Sequence, residues 1–427
     1  TLLIEKYVES GRHIEVQVMG DTHGTVLHFF ERDCSTQRRH QKVLEEAPAP
    51  TLTAEQQEAI TTAGVDLARE VGYTNAGTVE FLLDNATGDF YFLEMNTRLQ
   101  VEHPVTEEVV RVRTDQGHER VDLVELQLRV ATGDPLGIAQ DDITLEGHAI
   151  EARIYAEDSF HGFLPQAGLA THVAWPRGEG VRVDHALEPR QEVSTSFDPM
   201  LAKVIAWGAD REEARGRLVR ALHRTEVAGL TTNTGFLRVL AASDEFRDAT
   251  IDTAWLDHHD VPAPDDAEAR LLAAAALVPP RVAGPWQADG WRTAGDRAPV
   301  RVVVGRDPVE VPPGTSTGAA FVHVTSGAVE VIHRGQRFVF DRHDPFADHG
   351  PEAGDGTLTA PMPGTGLAVN VAEGQAVAEG ETLGVMEAMK MELALKAPFA
   401  GTVATVGAAA GDLVKLGATL FVVEPDA

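Results

Sequence analysis

Polar and apolar residues alternate near the start of the chain. Within residues 12–18, apolar residues occupy every second position from Ile14, and His13, Glu15 and Gln17 lie between them. A period of two predicts an extended strand with one apolar face and one polar face. The polar face is either solvated or lines a binding site.

Similar patterns predict the other elements of the first 258 residues. Strands are expected at 25–30, 77–84, 90–96 and 148–158, and helices at 53–71, 120–133 and 210–225. Thr53 and Gln56 stand at the positions of a capping box, which marks where the first helix begins. Helical sequence continues from the last helix to about residue 258.

The composition changes after residue 258. Residues 259–285 are rich in Pro, Ala and Asp, and we expect a linker that holds one short helix. Short β-like segments follow and predict a small β-rich domain at 286–345. A second linker, rich in Asp, Gly and Pro, is expected at 343–357.

The C-terminal segment contains an internal repeat. Residues 360–365 (APMPGT) recur at 397–402 (APFAGT), an offset of 397 − 360 = 37 positions, and Gly374 recurs as Gly411 with the same offset. Two copies of one short-stranded unit predict a flattened β-sandwich with pseudo-two-fold symmetry. The segment between the copies, 387–392, is then expected to form a tight, exposed hairpin turn.

Composition and charge exclude several classes of protein. The chain has 427 residues with 66 acidic and 36 basic side chains, which give a net charge of −30. About 150 residues per domain predicts roughly three domains. The negative charge argues against nucleic acid or an anionic membrane as a partner. The longest clearly apolar run, Leu271–Val278, is too short to span a bilayer.

Cysteine usage and the first residue give two further expectations. Cys34 is the only cysteine, so no internal disulfide can form, and we expect a reducing, cytoplasmic location. We also expect Cys34 to be structural, since no paired base accompanies it. The chain starts with Thr1 in strand-like sequence and without a signal peptide, so its true N-terminus is expected to be missing.

Carboxylates on the predicted strands form a candidate metal site. Glu94, Asn96 and Arg98 recur at every second position and so point to one face, and Glu80 lies on the preceding strand. The residues that continue this parity are Gln100 and Glu102. Two carboxylates and an amide oxygen suit Mg²⁺, which commonly bridges nucleotide phosphates. A solvent-exposed polar face explains Glu-x-Asn-x-Arg equally well when taken alone.

Lys390 lies between two methionines in the predicted exposed turn. Bulky apolar residues gain little from such a place, and Ala388-Met389-Lys390-Met391 resembles the biotinylation sequence of biotin carboxyl carrier domains. The repeat around it resembles biotinyl domains over 357–427. The lipoyl domain, which has the same fold, is the nearest alternative, and the flanking methionines favour biotin.

Two other segments carry a second resemblance. Residues 31–42 (ERDCSTQRRHQK) and 94–107 (EMNTRLQVEHPVTE) closely resemble the core motifs of biotin carboxylase, an ATP-grasp enzyme, and the similarity runs from about Leu2 to Ala241. The whole chain is then an α+β multidomain protein. The implied units are the C-terminal part of an ATP-grasp fold at 1–145, a biotin carboxylase C-terminal subdomain at 146–258, the linker at 259–285, the β-rich domain at 286–345 and the biotinyl domain at 357–427.

The resemblance also implies roles for individual residues. The implied ATP contacts are Glu5, Lys6, Val8, His13, Gln37 and His40. The implied Mg²⁺ (or Mn²⁺) ligands are Glu80, Glu94 and Asn96. The implied bicarbonate pocket consists of Lys42, Arg98, Gln100, the Val101 backbone and Glu102. Glu102 corresponds to the general base and Arg153 to the arginine that stabilises the biotin enolate, so the catalytic set is Glu102, Arg98, Arg153 and Lys42, with biotin attached to Lys390.

Two departures from the family pattern stand out. The N-terminal subdomain and the Gly-rich ATP lid would precede Thr1, so we expect this chain alone not to hold ATP productively. Residues 107–121 form an insertion where the family has a very short link. The insertion is either a surface loop or a β-hairpin.

Domain spacing narrows the implied function. About a hundred residues separate the carboxylase motifs from the biotinyl segment, too few for a carboxyltransferase domain. The chain is therefore similar to the α subunit of an acyl-CoA carboxylase, whose implied partners are a carboxyltransferase β subunit, a biotin protein ligase, bicarbonate and, through the β subunit, a short- or branched-chain acyl-CoA. A hetero-oligomer is expected. The alternatives are a biotin carrier and docking scaffold without ATP chemistry, or some other ATP-grasp ligase.

Overall fold

The computed structural model describes residues 7–278, 290–318, 320–342, 356–360, 364–388, 391–415 and 417–425. Glu5, Lys6 and Lys390, three of the predicted site residues, lie outside the described residues, as does nearly all of the predicted linker at 343–357. Among the described helices, none is both long enough and apolar enough to cross a membrane.

The first part of the chain supplies five long strands and three helices. Its elements are β1 Gly11–Gly20, β2 Val26–Arg38, β3 Gln41–Ala47, α1 Ala54–Glu70, β4 Asn75–Asp84, β5 Phe90–Asn96, α2 His103–Val109, β6 Val110–Thr114, β7 Gly117–Arg120, α3 Leu123–Ala131, a 3₁₀ turn at Gln140–Asp142 and β8 Ile143–Leu145. The predicted capping box is present, since the Thr53 hydroxyl accepts from the Gln56 amide and the Gln56 side chain accepts from the Thr53 amide. The strand expected at 25–30 is wrong in length, because β2 continues through the basic segment to Arg38.

The second part is β-rich at its start and helical at its end. Its elements are β9 His148–Tyr155, β10 Glu157–Asp158, β11 Leu164–Pro165, β12 Gly168–Leu169, β13 His172–Ala174, β14 Val181–His185, β15 Glu192–Val193, β16 Met200–Gly208, α4 Arg211–His223, β17 Glu226–Ala228, α5 Thr234–Ala242, α6 Asp244–Arg247 and α7 Trp255–His258. Asp210 caps α4, where its carboxylate accepts from the Glu213 amide.

One antiparallel sheet of eight strands joins these two parts. Its order is β14-β16-β9-β3-β2-β1-β4-β5, so the pairing of β3 with β9 crosses the boundary predicted at residue 145. Helix α1 packs on the apolar face of β1, where Gly64 allows close approach because an added Cβ would come within 3.0 Å of Val16. Helices α4 and α5 cover β9 and β16 in the same way, with Leu218 and Leu237 in the core.

The insertion at 107–121 is a β-hairpin, one of the two expected outcomes. Strands β6 and β7 pair with each other, and β6 also pairs with β8. An ion pair between Arg120 of β7 and Glu108 of α2, at 2.6 Å, holds the hairpin against the helix. The three strands form a small sheet separate from the eight-stranded one.

The β-rich unit begins earlier than predicted. Its elements are α8 Ala267–Leu277, β18 Val300–Val304, β19 Asp307–Val311, β20 Phe321–Val324, β21 Ala328–His333 and β22 Gln336–Asp341. Helix α8 was expected inside a linker, but Leu272 and Ala273 are buried against Val304 and Val331 of the strands. The helix is part of this unit because its small and aliphatic residues complete the hydrophobic core.

The C-terminal unit is the predicted β-sandwich. Its strands are β23 Thr357–Thr359, β24 Gly364–Val369, β25 Ala376–Val377, β26 Thr382–Ala388, β27 Met391–Lys396, β28 Gly401–Val406, β29 Leu413–Val414 and β30 Thr419–Pro425. They form two four-stranded sheets, β23-β30-β28-β25 and β27-β26-β24-β29. The bounds of β24, β25 and β26 recur 37 positions later in β28, β29 and β30 (364 + 37 = 401), so the repeat in sequence is a repeat in structure.

Candidate active site

A row of charged residues crosses the polar face of the large sheet. Glu94, Glu80, Glu15 and Arg32 are directly opposite one another across β5, β4, β1 and β2. The polar face of β1 is therefore not solvated: Glu15 and Arg32 are both 0% exposed. Helix α2 covers this face, and its Thr106 accepts a hydrogen bond from Arg32.

Ion pairs compensate the buried charges of this row. The Glu15 Oε1 accepts from Arg32 Nε at 2.7 Å and its Oε2 accepts from Lys42 Nζ at 2.7 Å. Burial alone would raise the pKa of Glu15, but Lys42 and Arg32 outweigh it and hold that pKa well below its usual range. Burial likewise opposes the charge on Lys42, yet Glu15 and Glu102 raise the pKa of its ammonium group.

Glu102 is held between two cations. It is 1% exposed; its Oε1 accepts from Lys42 Nζ at 2.5 Å, and its Oε2 accepts from Arg153 Nη2 at 2.8 Å. The three residues come from the segment before α2, from β3 and from β9, so only the folded sheet brings them together. Neither partner of Glu102 lies in the 107–121 hairpin.

The candidate metal ligands lie side by side. Glu80 and Glu94 are directly opposite on β4 and β5, and the Asn96 amide donates to Glu80 at 2.8 Å and to Glu94 at 3.1 Å. His13 Nε2 and Gln100 Nε2 each lie 2.8 Å from a Glu80 oxygen. Burial would raise the pKa of Glu80, but the hydrogen bond and charge of His13 lower it to about 2, so this carboxylate is ionised at neutral pH.

These oxygens fit a hard cation. Glu80 and Glu94 supply two carboxylates, and a rotated Asn96 amide would supply a third oxygen of the kind that Mg²⁺ prefers. Glu15 is closed to a metal ion, since both of its oxygens are engaged by Arg32 and Lys42. The geometry therefore favours the Glu80–Glu94–Asn96 edge as the cation site.

Predicted site residues line one cavity of about 1110 Å³. All of those that the structure describes line it: Val8, His13, Gln37, His40, Lys42, Glu80, Glu94, Asn96, Arg98, Gln100, Val101, Glu102 and Arg153. Arg98 is exposed and hydrogen-bonds only to its neighbour's carbonyl, Leu99 O, at 3.2 Å among the contacts described, which leaves its charge facing the cavity. The Val101 carbonyl accepts from Lys203 Nζ at 2.9 Å.

Cys34 takes no part in this chemistry. It is fully buried, and burial raises the pKa of its thiol well above the ordinary value. A thiol kept neutral in this way is a poor nucleophile, which agrees with the structural role expected for it.

Sequence reasoning missed part of the buried row. Arg32 was named only as part of the motif at 31–42, and Glu45 and Glu151, which are directly opposite on β3 and β9, were given no role. The sequence did contain an indication for Glu151, because it has the same strand parity as Arg153. The register between β1 and β2 shifts between His28 and Glu31, so alternation along the strand predicted at 25–30 could not have placed Arg32.

Comparison with known proteins gives three family matches along the chain. The family described as "Carbamoyl-phosphate synthase L chain, ATP binding domain" matches residues 1–139. "Biotin carboxylase C-terminal domain" matches 151–258, and "Biotin-requiring enzyme" matches 356–423. A carboxylase match and a biotin-domain match therefore occur in one chain. The chain belongs to the biotin-dependent carboxylase family.

Relatives in this family cover different parts of the chain. The mitochondrial methylcrotonoyl-CoA carboxylase subunit alpha of Arabidopsis thaliana is 49% identical over 260 residues, which are 61% of this chain and 34% of that protein. The corresponding Dictyostelium discoideum subunit is 34% identical over an alignment of 459 residues, covering 92% of this chain and 64% of the relative. The chain thus spans about a third of the length of the plant relative.

A solved biotin carboxylase structure has the same fold. The biotin carboxylase domain of Hydrogenobacter thermophilus 2-oxoglutarate carboxylase, in complex with MgADP, ADP and bicarbonate, is 43% identical with a TM-score of 0.56 over 60% of this chain and 54% of that one. The predicted family and the predicted fold class, a partial ATP-grasp unit followed by a biotin carboxylase C-terminal region and a biotinyl sandwich, are confirmed.

Proposed function

We propose that this biotin-dependent carboxylase uses ATP and bicarbonate to carboxylate biotin carried on Lys390. The carbon is then transferred to a short- or branched-chain acyl-CoA by a separate carboxyltransferase β subunit. The observation that carries the proposal is the position of Glu102, a buried carboxylate between Lys42 and Arg153 at the wall of one cavity.

The first chemical task is to make bicarbonate a nucleophile. Bicarbonate reacts poorly until it loses its proton, and Glu102 is the carboxylate placed to accept that proton at Oε1 or Oε2. Lys42 and the exposed Arg98 supply the positive charge that holds the anion in the cavity. The deprotonated oxygen then attacks the γ-phosphorus of ATP, and the bond from that phosphorus to the β–γ bridging oxygen breaks to release ADP.

The second task follows when the anhydride of bicarbonate and phosphate splits into CO₂ and inorganic phosphate. That phosphate would take the proton of a ureido nitrogen, the nitrogen would bond to the CO₂ carbon, and negative charge would develop on the ureido oxygen in between. Bound biotin supplies that nucleophilic nitrogen. Arg153 is suited to stabilise the neighbouring oxyanion, because burial opposes its charge but Glu45 and Glu102 raise the pKa of the guanidinium far above neutrality. A divalent cation at Glu80, Glu94 and Asn96 would neutralise phosphate charge. Val8, Gln37 and His40 line the same cavity and would contact the nucleotide.

The C-terminal unit supports the carrier half of the proposal. Strands β26 and β27 form an antiparallel pair with Ala388 opposite Met391, and Lys390 lies between these two strands in the sequence. Carbon transfer needs an arm that moves from one active site to another, and the segments on either side of the β-rich unit, 259–266 and 343–357, are both rich in Pro and Asp. Similarity to methylcrotonoyl-CoA carboxylase α subunits favours a β subunit as the second site.

Biotin carriage without ATP chemistry is the second candidate. The C-terminal sandwich has its own hydrophobic core, including Leu383, Phe421 and Val423, and carrying biotin requires no residue of the cavity. Bicarbonate-dependent ATP hydrolysis, stimulated by free biotin, separates the two functions. The assay is run on the 427-residue chain and on the chain joined to any coding sequence that precedes Thr1. Hydrolysis in either form supports the carboxylase, and its absence from both leaves the carrier function.

Modification of Lys390 is the first specific prediction. Co-expression with a biotin protein ligase is expected to add the mass of one biotin to the intact chain, and Lys390→Arg is expected to abolish the adduct because its guanidinium is not an amide-forming nucleophile. Lys396→Arg, in the following strand, is the matched control and should keep the adduct. An adduct that persists in Lys390→Arg would place the biotin elsewhere, and a lipoyl mass would revive the alternative carrier.

Cation dependence is the second prediction. Glu94→Gln is expected to raise the Mg²⁺ concentration for half-maximal ATP hydrolysis by at least about tenfold. Loss of a residue that only hydrogen-bonds to a metal ligand typically lowers metal affinity about 10–100-fold, and loss of a direct ligand should lower it by no less. Glu125→Gln, on the exposed face of α3, is the control and should leave the requirement unchanged. An unchanged requirement in Glu94→Gln would remove this residue from the cation site.

A further inference from the structure

Arg153 is held from two sides. Its Nη2 donates to Glu102 at 2.8 Å, and its Nε forms a closer ion pair with Glu45, a fully buried residue of β3, without the alignment of a hydrogen bond. The guanidinium group is planar, so carboxylates at two different edges restrict both its position and its rotation. Glu45 lines no part of the cavity, and the reaction proposed above gives it no task.

A second unused carboxylate lies beside Glu45. Glu151 is directly opposite it across the β3–β9 pair, and both are 0% exposed. Opposed residues have Cβ atoms about 4.5–5.5 Å apart, and like charges at that distance are destabilising. Neither oxygen of Glu151 has a hydrogen-bond partner among the described residues, so an ionised Glu151 would be a buried and poorly compensated charge.

Charge balance points to a retained proton. The buried carboxylates behind the site are Glu15, Glu45, Glu102 and Glu151. The cations that face them are Arg32, Lys42 and Arg153. The carboxylates outnumber these cations by one. Lys203 also faces Glu151, but its ammonium group donates to the Val101 carbonyl and lies 3.5 Å from Asp184.

We propose that Glu45 is a positioning residue for Arg153, and that Glu151 carries the proton that lets two carboxylates share this buried row. The proposal rests on the proposed function for its catalytic consequence. When Glu102 takes the bicarbonate proton it becomes neutral and its attraction for Arg153 weakens. Glu45 then keeps the guanidinium in place, because it stays charged and does not touch the substrates.

The acid–base properties of the pair support this assignment. Burial raises the pKa of Glu45, although the charge of Arg153 opposes the shift. Burial and the facing Glu45 raise the pKa of Glu151 well above the ordinary carboxyl value, against the opposing charges of Lys203 and Arg153 and with a further rise from Glu102. The pair therefore holds a proton at neutral pH, and Glu151 is the better place for it because Glu45 has Arg153 as its partner.

Substitutions at Glu45 test the positioning role. Glu45→Gln keeps the shape but removes the charge, and it is expected to lower kcat about 10–100-fold with the KM for ATP unchanged, because Arg153 loses its fixed orientation. Glu45→Asp, which keeps the charge, should recover part of the loss, and Glu125→Gln should have no effect. A wild-type kcat in Glu45→Gln would overturn the role.

A spectroscopic measurement keeps the test independent of activity. Arg153 Nε–H should give a slowly exchanging NMR signal in the 427-residue chain, assigned by its absence from Arg153→Lys, and this signal should be lost in Glu45→Gln. Unchanged exchange in Glu45→Gln would overturn the positioning role even if no form of the protein hydrolyses ATP. Failure of the proposed function and failure of this inference are thereby distinguished.

Glu151→Gln tests the retained proton. The infrared spectrum of the chain at neutral pH should contain a protonated carboxylic C=O band that Glu151→Gln removes. A folded-state pKa above the unfolded value means that the native state binds more protons, so wild-type stability falls as the pH rises above the ordinary carboxyl range. Glu151→Gln should show a smaller fall, because Glu31 and Glu157, whose pKa values burial also raises, keep their own contributions. An unchanged infrared band, or a parallel pH dependence of stability in the two proteins, would contradict the assignment.

Discussion

Replacing Glu102 by glutamine is expected to lower bicarbonate-dependent ATP hydrolysis by about 10²–10⁴-fold, the contribution usual for a positioned general base. Glutamine has nearly the same shape, and its single amide oxygen can still accept a hydrogen bond from Lys42 or from Arg153, so the cavity should keep its shape. It cannot take the bicarbonate proton. The measurement is the initial rate of phosphate release with and without bicarbonate, in the form of the protein that hydrolyses ATP.

Two control variants separate the loss of proton transfer from the loss of negative charge as causes of a lower rate. Glu102→Asp keeps a base but moves it away from the anion, and should retain more activity than Glu102→Gln. Glu125→Gln removes one exposed carboxylate of a surface ion pair and should be indistinguishable from wild type. A Glu102→Gln protein with wild-type rates would show that another group removes the proton, and the proposed role of Glu102 would be wrong.

Replacing Glu15 by glutamine is expected to lower the free energy of unfolding by about 3–5 kcal/mol, the cost of removing one partner from a buried ion pair. Arg32 would remain fully buried with no carboxylate at its Nε, and Lys42 would lose one of its two close partners. Urea unfolding of the two proteins measures the difference. Glu125→Gln is the control, and should change the stability by no more than about 0.5 kcal/mol.

The pH dependence of the same pair has a defined sign. Although burial acts against it, the charges of Lys42 and Arg32 hold the folded pKa of Glu15 below its unfolded value. The pair's contribution is then fully present above the ordinary carboxyl pKa and is lost as the pH falls towards the folded value. Wild-type stability should fall more steeply in acid than that of Glu15→Gln. Equal slopes, or a stability loss below about 1 kcal/mol, would contradict a buried, ionised Glu15.

Local patterns were sufficient to predict much of the architecture. Strand parity predicted that Glu94 and Asn96 share one face, with Glu80 on the preceding strand, and the 37-residue repeat predicted the β-sandwich with its pseudo-two-fold symmetry. These predictions succeed because the alternation of a strand and an internal repeat can both be recognised from the sequence without knowledge of long-range contacts. The roles of the cavity residues remain predictions, although the cavity brings every described one of them together.

Long-range packing accounts for what could not be predicted. Helix α8 has an alanine-rich sequence typical of a solvated linker helix, and only the strands that follow give its Leu272 and Ala273 a core to enter. The depth at which Arg32 lies depends on α2 closing over the sheet with Thr106. The partnership of Glu45, Glu151 and Arg153 depends on β3 pairing with β9 across about a hundred residues, which no local pattern specifies.

The negative net charge of the chain bears on how it would bind its proposed substrates. The substrates proposed above are anions, and a chain with 66 acidic and 36 basic side chains offers few cations to bind them. Lys42 and Arg153 each form ion pairs with buried carboxylates. These ion pairs keep both side chains charged, although burial in the cavity would otherwise favour their neutral forms. Arg98 is left facing the cavity.

Transfer of carbon from bicarbonate to Lys390 tests the central claim most directly. The biotinylated form of the protein that hydrolyses ATP is incubated with radiolabelled bicarbonate and Mg-ATP, and the label is followed to the peptide that contains Lys390, with Glu102→Gln and Lys390→Arg as parallel samples. We predict ATP-dependent label on that peptide in the wild-type protein and none in either variant. Label that appears without ATP, or that persists in Glu102→Gln, would contradict the proposed function.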